Sequence, residues 1–157
     1  MRHNHPHGPV KTIHGHQHHI GWNNANPPIA KAAPGDVLEF ECLDPSCGQI
    51  TQDWTAGDLG RLDFGKINPT LGPIEVDGAE PGDALRITFL GFENCGWGWT
   101  ANIPGFGLLA DQFKDPALHI WKYDASLAQP AMFGGLAAVP HAKHKSGFGA
   151  QFFGSDK

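Results

Sequence analysis

Two copies of the tripeptide Pro-Gly-Asp, at residues 34–36 and 81–83, constrain the fold more than any other feature of the sequence. In each copy Pro fixes its own φ, Gly can adopt a positive φ, and the Asp side chain can cap the turn. Strand-like runs of residues follow directly, at 37–43 and 84–90. A period of two places three large apolar residues of the second run on one face: Leu85, Ile87 and Phe89. The pattern predicts tight turns that lead into strands.

Short apolar runs separated by turn residues continue from residue 11 to about residue 123. Further strands are predicted at 73–78 and 118–123, with aromatic loops at 96–100 and 103–107. Gly contributes 21 and Pro 13 of the 157 residues, which is high for a helical bundle but below the level of a disordered chain. We therefore expect a mainly β fold, an antiparallel β-sandwich or barrel-like half-domain with long Gly/Pro-rich loops and little helix.

The sequence divides into three regions of different composition. Residues 1–11 are rich in His and are expected to form a flexible N-terminus. Residues 12–124 carry the strand pattern and are expected to form one β domain. In residues 125–157 Ala, Gly and Phe recur without a period, so this tail is predicted to be poorly ordered.

Charge and cysteine content limit the partners and the compartment. Eleven basic and sixteen acidic residues give a net charge of −5, which argues against nucleic acid or an anionic membrane surface as the main partner. No apolar run approaches the roughly 18–20 residues that span a bilayer, and the N-terminus lacks the apolar stretch of a signal peptide. The three cysteines form no CxxC pair, which favours reduced thiols. A cytoplasmic protein is the simplest interpretation.

Seven of the ten histidines lie within the first nineteen residues. If residues 14–19 form a strand, His14, His16 and His18 share a face, and such spacing lets imidazoles converge on a metal ion. His18 and His19 precede a segment typical of structured chain, whereas the histidines before residue 8 fit a flexible tail with adventitious metal affinity. A non-catalytic, His-rich metal-binding β-module is therefore one possible function.

Acidic residues are the candidates for a general base or for further metal ligands. Asp36 and Asp83 follow Pro-Gly and fit a role in capping turns. Glu80, between Ala79 and Pro81, has less obvious structural work, and Asp44 is a weaker candidate ligand. Spacing alone identifies no catalytic pair of carboxylates.

Cysteines could supply a nucleophile for acyl transfer. Cys47 lies in a Pro-Ser-Cys-Gly turn, and Cys95 directly precedes an aromatic loop. A nucleophilic cysteine needs a base beside it, and the sequence places none near either residue. A Cys-dependent amidase is therefore a third, disfavoured interpretation.

An ordered series of motifs resembles the acetamidase/formamidase family. The motifs are HHIGWNN at 18–24 followed by PGD at 34–36, then NPTLGPIEVDGAEPGD at 68–83, WGWT at 97–100 and IPGFGLLAD at 103–111. Each is weak alone, but their ordered combination over residues 12–124 is specific. The resemblance implies a β-rich fold and hydrolysis of formamide or acetamide to a carboxylate and ammonia.

The resemblance also suggests a metal-assisted site with a divalent ion, zinc being the first expectation. Laid on the matching positions, our hypothesis assigns His18, His19 and Asp44 as metal ligands and Glu80 as ligand or general base. Trp22, Trp99 and Phe106 would wall a small pocket that holds the amide substrate. A homo-oligomer is expected, with neither nucleic acid nor membrane as partner.

Members of that family are about twice as long as this chain. Their second half carries its own His, Asp and Glu motifs, which are not visible here. We therefore expect a partial chain that matches the N-terminal half and ends in a divergent tail, inactive alone if its missing half supplies part of the site.

Overall fold

The computed structural model describes residues 9–126, 128–133 and 137–139. The chain divides into two compact units: the first comprises Met1–Thr51 and Arg61–Ala84, and the second comprises Gln52–Gly60 and Leu85–Lys157. The expected flexible N-terminus lies mostly outside the described residues, and so does most of the expected tail.

The first unit is built from six three-residue strands: β1 (Lys11–Ile13), β2 (His18–Ile20), β3 (Ala30–Ala32), β4 (Leu38–Phe40), β5 (Pro69–Leu71) and β6 (Ile74–Val76). Strand β1 pairs with β4 and β3 with β6, both in parallel, whereas β2 pairs with β5 in antiparallel fashion. A 3₁₀ helix at Phe64–Lys66 begins after Asp63, whose side chain accepts a hydrogen bond from the Gly65 amide.

The second unit contains the longer strands. Strands β7 (Trp97–Asn102) and β8 (Ala117–Lys122) form an antiparallel pair, as do the short strands β9 (Ala131–Phe133) and β10 (Ala137–Val139). The Trp121 indole on β8 donates to Thr100 Oγ1 on β7 at 2.9 Å. A 3₁₀ helix, Ala56–Arg61, begins in this unit.

The predicted fold class is confirmed at the level of a mainly β protein with little helix. The strand pairing is more mixed than predicted, since two of the five strand pairs among the described residues are parallel. Strands β9 and β10 lie in the tail predicted to be poorly ordered. None of the helices in the described ranges is long and apolar enough to cross a membrane.

Both Pro-Gly-Asp turns form as predicted, and by the same contacts. Asp36 Oδ2 accepts from the Ala33 amide at 3.0 Å, and Asp83 Oδ2 accepts from the Glu80 amide at 2.9 Å. The central glycines, Gly35 and Gly82, have φ values of 91° and 103°, which few other residues adopt. The Asp residues therefore act as turn caps, as their position after Pro-Gly indicates.

Only the first of these turns leads into a strand. Strand β4 lies within the predicted run at 37–43, but the predicted strand at 84–90 is wrong, because this run forms no strand and is exposed throughout. The predicted loop at 96–100 is also wrong, since most of it belongs to β7. Both errors have one cause: strand formation depends on a partner strand, which local sequence does not specify.

Few apolar side chains are fully buried in the described part of the chain. In the first unit they are Ile13, Ala32, Ile50 and Leu62, and in the second they are Leu59 and Ala131. Ile50 is the most deeply buried, at 1% exposure. The core of the first unit therefore lies next to the loop that contains Cys47.

Candidate functional site

His18 and Cys47, a potential base and a potential nucleophile, are in side-chain contact. The Nε2 atom of His18 lies 3.5 Å from Cys47 Sγ, although 29 residues separate the two in sequence. Both residues are half-buried. The distance allows the thiol to donate a hydrogen bond to the imidazole.

A backbone carbonyl fixes the tautomer of His18. Its Nδ1 atom lies 2.8 Å from the Gly15 carbonyl oxygen. Because a carbonyl oxygen only accepts, Nδ1 must carry the proton, and neutral His18 then has its lone pair on Nε2. That lone pair faces the Cys47 thiol, which is the arrangement of a nucleophile beside a base.

Asp44 organises the loop that presents Cys47. Its carboxylate accepts from the Ser46 amide at 3.0 Å, the Ser46 hydroxyl at 2.5 Å and the Gly48 amide at 2.6 Å. The Ser46 hydroxyl in turn accepts from the amide of Ile50 at 3.0 Å, and Ser46 is 1% exposed. These short-range hydrogen bonds therefore close the loop around the buried side chain of Ser46.

The backbone at Cys47 is unusual for a residue with a side chain. Its φ of 57° is in the left-handed region, and the next residue, Gly48, has a φ of 76°. Non-glycine residues in this region cluster at functional sites, where the surrounding structure holds them in place. Here that support includes the hydrogen bond from the Asn68 amide to the Pro45 carbonyl, at 2.7 Å.

His19 contacts a different part of the first unit from His18. Its Nδ1 atom lies 3.1 Å from the Gly72 carbonyl oxygen, at the end of the paired strand β5. Consecutive residues of a strand point to opposite faces, so the side chains of His18 and His19 diverge.

The structure does not bring the predicted metal ligands together. Among the described residues, no group of three or more His, Cys, Asp or Glu side chains is placed to hold a metal ion. His18 and His19 diverge, and the Asp44 carboxylate already accepts three hydrogen bonds within its own loop. The described residues do not bring these three side chains together, and their roles as ligands and zinc itself stay predictions.

The other histidines of the cluster lie in the turn between β1 and β2, not in a strand. The rings of His14 and His16 stack with their centroids 5.6 Å apart. Glu41 Oε2 lies 3.1 Å from His14 Nδ1 and accepts from the Gly15 amide, also at 3.1 Å. The amide hydrogen bond and then the bond to His14 lower the pKa of Glu41.

The remaining predicted site residues are distributed over both units. Glu80 is exposed, in the Pro-Gly-Asp turn of the first unit, and Trp22 in the same unit is 68% exposed. Trp99 is half-buried on β7 and Phe106 is 57% exposed, both in the second unit. The roles of these four residues stay predictions.

The pairing of Cys47 with His18 is what the sequence analysis missed. The expectation that no base lies near Cys47 is wrong, since His18 is in contact with it. The Pro-Ser-Cys-Gly composition indicated a turn, but no local pattern indicates which distant side chain that turn meets.

Comparisons with known proteins agree on one family. The profile of the acetamidase/formamidase family matches residues 9–147, past the predicted end at residue 124. Over 113 residues the chain is 35% identical to a formamidase of Methylophilus methylotrophus, covering 68% of the chain and 28% of that protein. It is 33% identical to an acetamidase of Mycolicibacterium smegmatis over 118 residues, covering 67% and 29%.

Solved structures show the same relationship. A recombinant predicted acetamidase/formamidase from Thermoanaerobacter tengcongensis superimposes with a TM-score of 0.71 at 25% identity, covering 84% of this chain and 42% of that one. An acetamidase from Bacillus halodurans shares the fold, with a TM-score of 0.65 at 24% identity, covering 83% and 42%. The chain matches less than a third of the length of the curated relatives and under half of these structures. By its sequence and its fold, the chain belongs to the acetamidase/formamidase family.

Proposed function

We propose that this chain is part of a hydrolase that cleaves the carbon–nitrogen bond of small linear amides, formamide or acetamide, to a carboxylate and ammonia. The observation that carries the proposal is the family match over residues 9–147, together with relatives named formamidase and acetamidase. Amide hydrolysis needs a nucleophile, a base that removes its proton and an acid that protonates the leaving amine.

The first unit contains groups suited to that chemistry. His18 has a fixed tautomer with its free lone pair on Nε2, so it can accept a proton from a nucleophile and pass it to the leaving amine. Glu80 is a second candidate base, with an exposed position in the turn that follows β6. The roles of Trp22 in this unit, and of Trp99 and Phe106 in the second unit, as apolar pocket residues stay predictions.

A divalent metal ion, zinc first, stays part of the proposal only as a prediction. When bound it would polarise the amide carbonyl and lower the pKa of a bound water molecule. Of the predicted ligands, His18 offers Nε2 next to the thiol of Cys47, and zinc accepts both nitrogen and sulfur ligands. Other ligands would have to come from outside the described contacts.

We further propose that the chain self-associates. The support is the number of large apolar side chains left exposed, among them Leu85 at 60%, Ile87 at 63% and Phe89 at 44%. Contiguous exposed apolar surface favours association with other protein surfaces. A homo-oligomer would remove this surface from water.

Ammonia release from formamide and acetamide by the purified chain tests the proposed function. The assay is run with added Zn²⁺, with EDTA and without additions. Turnover abolished by EDTA supports metal assistance, and turnover indifferent to EDTA supports a nucleophile of the chain itself. A folded sample that binds Zn²⁺ tightly and releases no ammonia would contradict the proposal in favour of the metal-binding module.

A further inference from the structure

We infer that His18 and Cys47 form a nucleophilic imidazole–thiol pair that attacks the carbonyl carbon of a small amide. The first argument is distance, because Nε2 and Sγ are 3.5 Å apart, within reach of a sulfur hydrogen bond. The inference names the reacting groups of the proposed function and, for its amide step, rests on that function.

The second argument is the direction of the proton. Since the Gly15 carbonyl holds the proton of His18 on Nδ1, the imidazole meets the thiol only as an acceptor. A nucleophile, a base and a third group that orients the base are the three parts of a thiol- or hydroxyl-dependent hydrolase site. Here the orienting group is a backbone carbonyl three residues away in the turn before β2.

The third argument is that several contacts hold this loop in an uncommon backbone conformation. Cys47 has a left-handed backbone, and the Asp44 carboxylate and the buried Ser46 hydroxyl hold the loop in that conformation. A structural cysteine needs none of this, because a free cysteine usually packs as a small hydrophobe. Residues held in sparsely populated backbone regions are concentrated at active sites and ligand clamps.

The chemistry balances within the pair and the substrate. Cys47 Sγ forms a bond to the carbonyl carbon, and its proton passes to His18 Nε2. The carbon–nitrogen bond then breaks as His18 returns that proton to the leaving nitrogen, which releases ammonia and leaves a thioester on Cys47. Water attacks the thioester, His18 accepts the water proton, and the carboxylate leaves as the thiol is restored.

The other two cysteines serve as internal references for a test that needs no amide turnover. Cys42 and Cys95 are more exposed than Cys47, and the Cys95 thiol donates to the Trp97 carbonyl at 3.3 Å. Exposure alone therefore predicts that Cys47 reacts last with an alkylating agent. Contact with a base predicts the opposite order, because His18 Nε2 can take up the thiol proton as the sulfur attacks an electrophile.

The experiment is a time course of iodoacetamide alkylation of the native chain at neutral pH, with each cysteine followed by peptide mass spectrometry. We expect Cys47 to react roughly fivefold faster than Cys42, because only Cys47 has a base in contact that can take up its proton during attack. In urea the rates should become equal. A native Cys47 rate at or below that of Cys42 would overturn the inference.

Three variants test whether His18 causes the faster alkylation of Cys47. His18→Gln retains a group that can donate to the Gly15 carbonyl but not a base, so we expect it to remove the rate excess at Cys47. His18→Ala should do the same, and His119→Ala, on β8 of the second unit, should keep the excess. If His18→Gln labels like wild type, or if His119→Ala loses the excess while folded, the pair is not the cause and the inference fails.

Two further readouts separate this inference from the proposed function. Fast labelling of Cys47 without ammonia release from wild type would support the reactive pair and show that this chain alone does not complete the amide reaction. Ammonia release that survives Cys47→Ser would support the amidase and overturn Cys47 as nucleophile. Protection of Cys47 by Zn²⁺ that EDTA reverses, with no turnover by the metal-free chain, would make the pair a metal ligand set and would also overturn it.

Discussion

The loop at 44–50 and the segment at 85–95 differ in how closely their structures follow from their local sequences. The loop contains no regular strand or helix, yet its residues are fixed by hydrogen bonds to the Asp44 carboxylate and the Ser46 hydroxyl, and Ile50 is buried beneath it. The segment has an alternating apolar pattern typical of a strand, yet it forms none and every residue in it is exposed.

The difference lies in where the partners are. The Asp44 carboxylate and the Ser46 hydroxyl of the loop find partners within four positions, so these contacts depend on local sequence. A strand satisfies its amides and carbonyls only through a neighbouring strand, and its apolar face only through an opposing layer. The described part of this chain provides neither for residues 85–95.

The largest expected effect comes from removing the same side chain in both regions. Ile50→Ala removes a side chain that is 1% exposed and should lower the free energy of unfolding by about 3 kcal/mol. Ile87→Ala removes one that is 63% exposed and should change it by less than about 0.5 kcal/mol. Urea unfolding followed by tryptophan fluorescence measures both.

If Ile50→Ala and Ile87→Ala lowered the free energy of unfolding equally, the loop and the segment would not differ in packing. A large loss at Ile87 would show that the segment is packed in solution, either in an oligomer or against another part of the protein. Repeating the measurement over a range of protein concentrations distinguishes these two cases, because only the oligomer depends on concentration.

The next effect concerns the polar closure of the loop. Asp44→Ala leaves the buried Ser46 hydroxyl and two loop amides without their acceptor and should cost about 2 kcal/mol. The matched control is Asp111→Ala, an exposed aspartate of the second unit, for which we expect less than about 0.5 kcal/mol. If the two aspartate variants unfold at the same urea concentration, the loop is not held by this carboxylate.

A smaller effect is expected on assembly rather than on folding. Leu85→Lys combined with Ile87→Lys introduces like charges on the exposed apolar segment and should shift the chain towards the monomer without lowering its stability. Sedimentation velocity at several concentrations measures this shift. Unchanged self-association would place the oligomer contact on another surface.

The smallest effect is a dependence on pH. The pKa of Glu41 is lowered from its ordinary value of 4.5, first by the Gly15 amide and then by His14. A lowered pKa in the folded state means that the contribution is present above the ordinary value and is lost as the pH falls through the lowered one. Glu41→Gln should therefore flatten the acid side of the stability curve in thermal unfolding from pH 6 to pH 3. An unchanged acid limb would show that this carboxylate is not coupled to folding.

Local sequence predicted the parts of this structure that local contacts determine. The two Pro-Gly-Asp turns and the caps at Asp36 and Asp83 follow from residues within a few positions of one another. The family could also be identified, because its motifs are ordered along the chain.

The parts that could not be predicted depend on distant residues. The parallel pairing of β1 with β4 and the contact of His18 with Cys47 both join residues more than twenty positions apart. The sequence pattern and the family resemblance predicted that His18 is a metal ligand together with His19 and Asp44. They did not predict that His18 contacts a thiol. Asp44 shows the same limit, since its role in closing the loop depends on the left-handed backbone at Cys47.

Because the Gly15 carbonyl accepts a hydrogen bond from His18 Nδ1, the turn before β2 determines which ring nitrogen of His18 carries the proton. If that turn changed shape, the proton of His18 could move to the other ring nitrogen, and the lone pair facing Cys47 would disappear while both side chains stayed in place. A Cβ at residue 15 would lie 3.2 Å from the Glu41 carbonyl oxygen, so Gly15→Ala should shift this turn. On the inferred pairing, the reactivity of Cys47 depends on that backbone conformation, and this substitution would alter it without changing His18 or Cys47.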